Sequence, residues 1–351
     1  MNFEIPQVDR DEELRLLNLL GFPDFDDPVE CPNPYDSEIP LTARLIRCHG
    51  DDYHSRPELS HSQFVTFMDE PELYKAKIID RRDEGKVDPV HFAFGKQVEH
   101  YLFHDEIPGD PVVIPQHKMS RRKRPAKWFL DHEVEYDPAN DDHHSFAKVG
   151  KPYDEFVRSH HNRLVMTPKE YEEMIVPLDG IRDNVRDHSK AKALLYGDSL
   201  RHIAILFTCP FSGIELRCQL DNVSRQKSVN DYKTALRNDE WGFAADFYKW
   251  RYHIQASWYR EAVRQLNGGD FWDVNYIVTE KQSRCWIVEV FHVADDWFSI
   301  ALDEWQYHLK HFRSCLETGN WKRPSHNSVV DLRPPSYVKR QHKIWKATRH
   351  E

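Results

Sequence analysis

Two aspartates and a lysine come together on a predicted β-hairpin whose turn centres on Gln226. The first strand, IELRCQLD, alternates apolar and polar residues in the manner of a half-buried strand. With this turn Asp221 directly faces Asp231, and facing residues of an antiparallel pair share one side of the sheet. Lys233 follows two residues after Asp231 and therefore projects from the same side. The hairpin predicts two carboxylates and one ammonium group on a single face.

Two carboxylates this close repel each other unless a cation lies between them, and they suit a hard divalent ion. Mg²⁺ takes oxygen ligands, commonly one or two carboxylates together with a substrate phosphate. Such an ion would activate water at a phosphodiester, with Lys233 orienting the water or stabilising the developing charge. A simpler interpretation stays open, in which Asp221 is a turn residue and Asp231 and Lys233 form an ordinary exposed pair. The turn contains no glycine, so its register is assumed at this stage.

Two further segments flank the hairpin. Upstream, FGKQVEHYLF is predicted to be a helix that carries His100, and downstream QASWY contains a Q-x-x-x-Y pattern formed by Gln255 and Tyr259. Together with the D-x9-D-x-K pattern of the hairpin they occur in a characteristic order. From about residue 89 to residue 320, the sequence resembles the PD-(D/E)XK nuclease superfamily. Within it, the RecB-like branch and the exodeoxyribonuclease VIII (RecE-type) family of phage recombination exonucleases are the most similar.

This resemblance implies a fold and a reaction. The fold would be of the α/β (α+β) class, with a central mixed β-sheet flanked by helices as in restriction endonucleases. The reaction would be Mg²⁺-dependent hydrolysis of phosphodiester bonds, with Mn²⁺ as a substitute. In this family it often proceeds 5′-to-3′ on double-stranded DNA ends, which leaves single-stranded overhangs for recombination and repair.

The resemblance also implies roles for individual residues. The metal ligands would be His100, Asp221, Asp231 and the backbone carbonyl of Tyr232, and Lys233 would be the catalytic lysine. Gln255 and Tyr259 lie one helical turn apart on a shared face, and the family uses these two residues to position DNA. Simple packing within the helix is the other interpretation of Tyr259.

The chain departs from the family pattern in two places. Many relatives carry an acidic residue on or before the strand that precedes the hairpin, but RHIAILFT has none, and Asp198 or His202 is the nearest polar substitute. This difference puts a second metal ion in question. The six cysteines are scattered and include no CxxC pair, so no iron–sulfur cluster is expected.

The resemblance further implies partners. Double-stranded DNA ends would be the substrate, the protein would form a homo-oligomer, often a ring in this family, and a single-strand annealing protein would work beside it. Two alternatives remain: an endonuclease or single-strand-preferring nuclease of the same fold, and a catalytically inactive DNA-end-binding protein.

The charge balance restricts how the protein can contact DNA. The 351 residues include 48 Lys and Arg against 58 Asp and Glu, a net charge of −10, so contact with DNA requires a local basic surface. The candidate is the block Arg121, Arg122, Lys123 and Arg124, unless it only offsets the acidic segment DPANDDHH. No apolar run is long enough for a membrane span. The N-terminal residues lack signal-peptide features, so a location inside the cell is expected. The resemblance implies the cytoplasm of a bacterial host and a bacterial or phage gene.

Three regions are predicted along the chain. Residues 1–88 form an acidic N-terminal region of unknown role, residues 89–320 the nuclease domain, and residues 321–351 a basic, flexible tail. Within the nuclease domain, one long helix is expected from about Trp241 to Leu266, ended by Asn267-Gly268-Gly269.

Overall fold

The predicted hairpin lies at the centre of a large sheet. The computed structural model describes residues 10–35, 37–48, 50–82, 90–107, 109–161, 163–281, 285–322, 329, 331–334 and 336–347. Its strands are β1 Val29–Cys31, β2 Leu41–Ile46, β3 Leu59–Ser60, β4 Val112–Val113, β5 Ser120–Lys123, β6 His144–Ala147, β7 Val165–Met166, β8 Ser199–Thr208, β9 Glu215–Ser224, β10 Ser228–Ala235, β11 Asp273–Glu280 and β12 Val288–His292.

The helices lie mainly on the two faces of this sheet. They are α1 Arg10–Leu20, α2 Gly50–Ser55, α3 His61–Asp69, α4 Pro71–Tyr74, α5 Val90–His104, α6 Ala126–Asp131, α7 Lys151–Ser159, α8 Pro168–Met174, α9 Pro177–Asp187, α10 Ser189–Leu195, α11 Glu240–Lys249, α12 Tyr252–Leu266, α13 Asp295–Thr318 and α14 Ser336–Ala347. A short π-helix, Lys75–Ile79, and two 3₁₀ turns, Gln116–Lys118 and Asp141–His143, complete the regular structure of the described residues.

The sheet is mixed. Its strand order is β1-β2-β8-β9-β10-β11-β12, and β3 lies beside β9. β10 and β11 run parallel. Parallel strands need a long crossover connection, which α11 and α12 provide here. The pairs β8–β9, β9–β10 and β11–β12 are antiparallel. The hairpin therefore sits between two long neighbours that fix both of its strands.

Two hydrophobic cores cover the two faces of the sheet. On one face, α12 and α13 pack their buried side chains, such as Trp258 and Trp305, against β8, β9 and β11. On the other face, residues of α5, α9 and α10, among them Val98 and Ile181, pack against Tyr232 and Ile277. The predicted architecture, a central mixed sheet flanked by helices, is confirmed.

The N-terminal region contributes to this sheet. β2 pairs with β8 and β3 pairs with β9, and Leu16, Leu17 and Leu20 of α1 join the same core as α12. β1 and β3, with three and two residues, are too short to show alternation, whereas β2 alternates buried and exposed residues over most of its length. Part of the region assigned to residues 1–88 thus packs directly on the sheet.

The long helix predicted up to Leu266 is in fact two helices. α11 ends at Lys249, Arg251 adopts a left-handed conformation with φ of 59°, and α12 begins at Tyr252. Neither proline nor glycine marks the break, so the sequence gives no sign of it. The change of direction lets α12 lie along the sheet with Gln255 and Tyr259 toward the hairpin.

The basic tail contains regular structure as well. α14 is a helix from Ser336 to Ala347 within the segment predicted to be flexible. Across the described parts of the chain, every helix is too short or too polar to cross a membrane.

Candidate active site

The hairpin has the predicted register. Ser224, Val223 and Asn222 of β9 pair with Ser228, Val229 and Asn230 of β10, as a turn centred on Gln226 requires. Lys227 closes the turn with φ of 54°, in the manner of three-residue hairpin loops that end in a left-handed residue. The pairing stops at Asn222 and Asn230, and beyond them the two strands separate. We call this point the fork.

A ladder of buried amides fixes the strands at the fork. Asn230 Nδ2 donates to Asn222 Oδ1 at 2.9 Å, and Asn275 Nδ2 donates to Asn230 Oδ1 at 3.0 Å. Asn222 Nδ2 also donates to Ser199 Oγ at 2.9 Å. The ladder joins β8, β9, β10 and β11, and a buried network in which the partners satisfy one another specifies a single register. Asp221 and Asp231 are the next residues along β9 and β10, so the ladder sets their positions.

The fork brings together the three residues predicted on the hairpin. The side chain of Asp231 is 1% exposed and forms an ion pair with the Lys233 ammonium group, which is 21% exposed. The carboxylate of Asp221 accepts a hydrogen bond from the backbone N–H of Tyr232 at 3.2 Å. Apart from Lys233, neither carboxylate oxygen of Asp231 has an N–H or O–H donor among the described residues. A buried carboxylate with so few partners is unfavourable unless a cation joins it.

A third carboxylate, that of Glu99, reaches the fork from α5. Its nearest charged groups include Asp221, Lys233 and Asp231. Gly95 lies one helical turn earlier, on the same face, and a Cβ atom there would be 3.9 Å from Oγ1 of Thr234 in β10. That distance is an ordinary van der Waals contact, so α5 packs directly against β10 here and brings Glu99 to the fork.

The sequence assigns this place on the helix to His100, whereas in the structure Glu99 occupies it. The ring of His100 packs against that of His104 with centroids 4.6 Å apart. Burial lowers the pKa of His100, and Glu106 partly opposes that shift. Successive helical residues point about 100° apart, so α5 cannot turn both neighbours toward the fork. The packing of Val98 and Leu102 sets its rotation in favour of Glu99. The sequence of the helix contains no signal that distinguishes Glu99 from His100 as the residue that faces the fork.

The carboxylates of the fork carry more negative charge than the protein neutralises. Burial, followed by repulsion from Asp221, raises the pKa of Asp231 to about 7, although Lys233 opposes the shift. Burial likewise raises the pKa of Asp221 and, together with the Asp221 charge, holds the pKa of Glu99 well above its usual range. Burial disfavours the charge of Lys233, but attraction to Asp231 and Asp221 outweighs it and raises the pKa of this lysine. Three acids therefore face Lys233, and Lys96 is a weaker positive neighbour of Glu99.

The donor atoms at the fork fit a divalent cation. The carboxylates of Asp221, Asp231 and Glu99 and the carbonyl oxygen of Tyr232 are hard oxygen donors, the type that Mg²⁺ and Mn²⁺ prefer. Within the described ranges, no group of three or more His, Cys, Asp or Glu side chains is placed so that it could hold a metal ion as it stands. The fit therefore rests on donor chemistry and on the buried, sparsely bonded oxygens of Asp231.

The Q-x-x-x-Y residues line the α12 side of the fork. Gln255 Nε2 donates to Tyr259 Oη at 2.9 Å, and Tyr276 Oη donates to Gln255 Oε1 at 3.2 Å. Tyr259 is buried, and burial followed by the Asp231 charge holds its pKa well above the usual range. Gln255, which is half-buried, is the member of the pair that a ligand can reach.

The basic block is partly engaged within its own hairpin. Arg121 forms an ion pair with Asp141 at 3.0 Å, and Arg124 Nε donates to the Asp142 carbonyl at 2.6 Å. Both partners belong to the acidic segment DPANDDHH, so the two segments offset each other, as one of the two sequence interpretations states.

The other two residues of the block are more accessible. The Lys123 ammonium group lies 3.9 Å from the ring centroid of Tyr136, a cation–π contact. The side chain of Arg122 is exposed and forms none of the ion pairs found in the described chain. Arg122 is therefore the residue of the block most available to a phosphate group.

The sequence now places the chain in a family. Residues 60–328, more than half of the chain, match the model of a PDDEXK-like domain of unknown function (DUF3799). The chain belongs to this family. The match confirms the PD-(D/E)XK superfamily predicted from the three motifs, and the RecE-type branch stays a prediction. No curated protein matches the sequence.

A solved structure shows the same type of fold. A protein from Eubacterium rectale, named as a "Putative exonuclease", has a TM-score of 0.50 at 14% sequence identity, over 84% of this chain and 98% of that chain. Rai1 of Scheffersomyces stipitis, in complex with 3′-NADP⁺ and calcium, covers 88% of this chain and 87% of its own at 11% identity. Its TM-score of 0.25 supports no conclusion. At such identities, the first likeness establishes the fold alone.

Proposed function

We propose that this protein is a divalent-metal-dependent deoxyribonuclease that degrades double-stranded DNA from its ends. The observation that carries the proposal is the fork, where the buried Asp231 has Lys233 as its ion-pair partner beside two more carboxylates. Titratable groups with strongly shifted pKa values are concentrated at catalytic sites. A purely structural cluster would be better neutralised.

The residues of the fork divide the work of phosphodiester hydrolysis. Asp221, Asp231 and Glu99, with the Tyr232 carbonyl, would hold Mg²⁺ or Mn²⁺, which when bound activates water and stabilises charge on the phosphate. Lys233 holds its ammonium group beside Asp231, where it can donate to a phosphate oxygen as negative charge develops. The water oxygen forms a bond to phosphorus and gives up a proton to the surrounding solvent, one P–O ester bond breaks, and the leaving oxygen takes up a proton from the solvent.

The substrate would approach the fork from the partly open side of α12. Gln255, held by Tyr259 and Tyr276, presents its amide to the DNA strand and so fixes the scissile phosphate. Arg122, and to a lesser extent Lys123, would add contacts to more distant phosphates, which makes DNA affinity fall with salt. The DNA-positioning role of Gln255 follows the family resemblance, and the phosphate contacts of Arg122 and Lys123 follow from their positive charge.

The finer features of the proposal rest on the resemblance alone. They are the 5′-to-3′ polarity, the production of overhangs for recombination and repair, assembly into a ring, a single-strand annealing partner and a cytoplasmic location. An endonuclease or single-strand-preferring nuclease of the same fold is the second candidate. A catalytically inactive DNA-end-binding protein is disfavoured by the intact arrangement of Asp221, Asp231 and Lys233.

One assay distinguishes these functions. Linear duplex DNA labelled at the 5′ or 3′ end, and a closed circle of the same sequence, are incubated with the protein in Mg²⁺, in Mn²⁺ or in EDTA. We expect progressive loss of the 5′ label from the linear duplex only, abolished by EDTA and restored by either metal ion. Nicking of the circle would overturn the exonuclease assignment, and an absence of cleavage with every substrate and metal would overturn the nuclease assignment.

A further inference from the structure

His202 occupies the position on β8 directly across from Asp221. β8 and β9 form one antiparallel ladder with the same register on both sides of this position, but His202 and Asp221 themselves do not pair. The interruption coincides with the fork, where β9 also leaves β10. A residue of β8 is thus placed beside the carboxylates without being committed to the ladder.

The backbone at His202 is unusual for a strand. Its φ is 51°, in the left-handed region that few non-glycine residues adopt, although histidine, like asparagine and aspartate, is enriched there. Residues three apart in a regular strand lie on opposite faces, yet Leu200 and Ile203 belong to the same core. The local distortion therefore keeps both apolar side chains in that core and turns His202 toward α5. Such a conformation persists only where the surrounding structure enforces it, and it is concentrated at functional sites.

The imidazole is enclosed by residues of α5. Its Nδ1 lies 3.8 Å from Oε1 of Glu99. The ring stacks on His104 with centroids 5.4 Å apart and meets the edge of Phe103 at 5.2 Å. The side chain is 12% exposed. The two aromatic neighbours hold the ring beside Glu99, at a distance that one bridging water or a small rotation closes.

We infer that His202 is a positioning residue that orients the Glu99 carboxylate toward Asp221 and Asp231, and so completes the cation site at the fork. The inference rests on the proposed function. A side chain that fixes the orientation of a metal-binding carboxylate typically changes metal affinity without touching the ion. Asp198, the other polar substitute for the missing acid, is engaged elsewhere by Arg15 at 3.1 Å and by Arg225 at 3.6 Å.

The test measures Mn²⁺ binding by electron paramagnetic resonance on the full chain without DNA. His202→Gly removes the imidazole and keeps the left-handed backbone free of strain. His202→Asn restores a polar group that tolerates this backbone and can reach toward Glu99. His292→Gln is the matched control, because His292 also faces a carboxylate, Asp273 at 3.4 Å, but on the exposed surface of β12.

We expect His202→Gly to weaken Mn²⁺ binding about 10- to 100-fold, His202→Asn to recover part of the loss, and His292→Gln to bind as the wild type does. The Mg²⁺ concentration for half-maximal cleavage should rise in the same order, whereas loss of folded protein would lower only the maximal rate. Wild-type Mn²⁺ affinity in His202→Gly refutes the inference.

A separate comparison distinguishes this failure from that of the proposed function. If Glu99→Gln weakens Mn²⁺ binding and the wild type cleaves DNA while His202→Gly matches the wild type, the inference about His202 alone is wrong. If the wild type neither binds Mn²⁺ nor cleaves DNA, the proposed function is wrong and the inference is refuted with it.

Discussion

The ion pair Glu261–Arg264 and the carboxylates of the fork are both buried, but they are neutralised in opposite ways. On α12, Arg264 donates to both carboxylate oxygens of Glu261, at 2.8 and 2.6 Å, and Gln265 adds a third bond at 2.7 Å. Both charged side chains of this pair are 2% exposed. At the fork, three carboxylates share Lys233, and Asp231 receives no other donor from the described chain.

The difference shows how burial can serve structure in one place and chemistry in another. The carboxylate of Glu261 has a bidentate partner of matching geometry, the arrangement that recovers most of the cost of desolvation. The fork keeps an excess of negative charge that the protein leaves for a ligand to neutralise. A buried charged group therefore indicates a binding or catalytic site when the protein does not supply enough partners to neutralise it.

The largest expected difference between the fork and the Glu261–Arg264 pair is in the rate of DNA cleavage. Asp231→Ala and Lys233→Ala should each reduce the rate of DNA cleavage about 10²- to 10³-fold, because each removes a group that acts on the reacting phosphate or its metal ion. DNA binding, measured by fluorescence anisotropy at fixed salt, should largely persist. Glu261→Gln is the control, and its cleavage rate per folded molecule should equal that of the wild type. Normal cleavage by either alanine variant would show that the fork is not the active site.

The second expected difference between the two regions is in the free energy of unfolding when no metal ion is bound. In EDTA at pH 7, Glu261→Gln should lower the free energy of unfolding by about 3 to 5 kcal/mol, because it leaves Arg264 buried without its charged partner. Asp231→Asn should instead raise the free energy of unfolding by up to about 4 kcal/mol, because the wild-type carboxyl, whose pKa is raised to about 7, must take up a proton on folding at this pH. Urea unfolding followed by circular dichroism measures both. An equal loss of stability in the two variants would remove the contrast.

The smallest expected difference is one of pH dependence. The pKa of Asp231 is raised to about 7 in the folded protein, whereas in the unfolded chain it is near its ordinary value. Between about pH 4 and pH 7 the folded state therefore keeps a proton that the unfolded state has lost, and stability falls as pH rises. In EDTA, the wild type should lose up to about 1.4 kcal/mol per pH unit more than Asp231→Asn across this range. Parallel curves for the two proteins would contradict the raised pKa.

Much of the fork could be predicted because it depends on local pattern. The alternation in β9 and a turn centred on Gln226 were enough to set the register, and register alone places Asp221 opposite Asp231. The mixed sheet followed from the family resemblance, and the structure confirms it. These features are determined by residues close together in the chain.

The features that were missed depend on contacts between distant segments. Whether Glu99 or His100 faces the sheet is decided by the rotation of α5 against β10, which the sequence of the helix does not fix. The break at Arg251 occurs at a residue that has no special backbone preference, and one histidine within a strand pattern does not by itself predict the left-handed conformation found at His202. The packing around these residues imposes both conformations.

The pairing of β2 with β8 has a practical consequence for work with shorter versions of the chain. A fragment that begins at residue 60, where the family match starts, would lack both β1 and β2. β8 would then become an open edge with unsatisfied N–H and C=O groups along Ala204–Phe207, and such edges invite pairing between molecules. Self-association of that fragment would then come from the exposed edge, and it would say nothing about how the intact protein assembles.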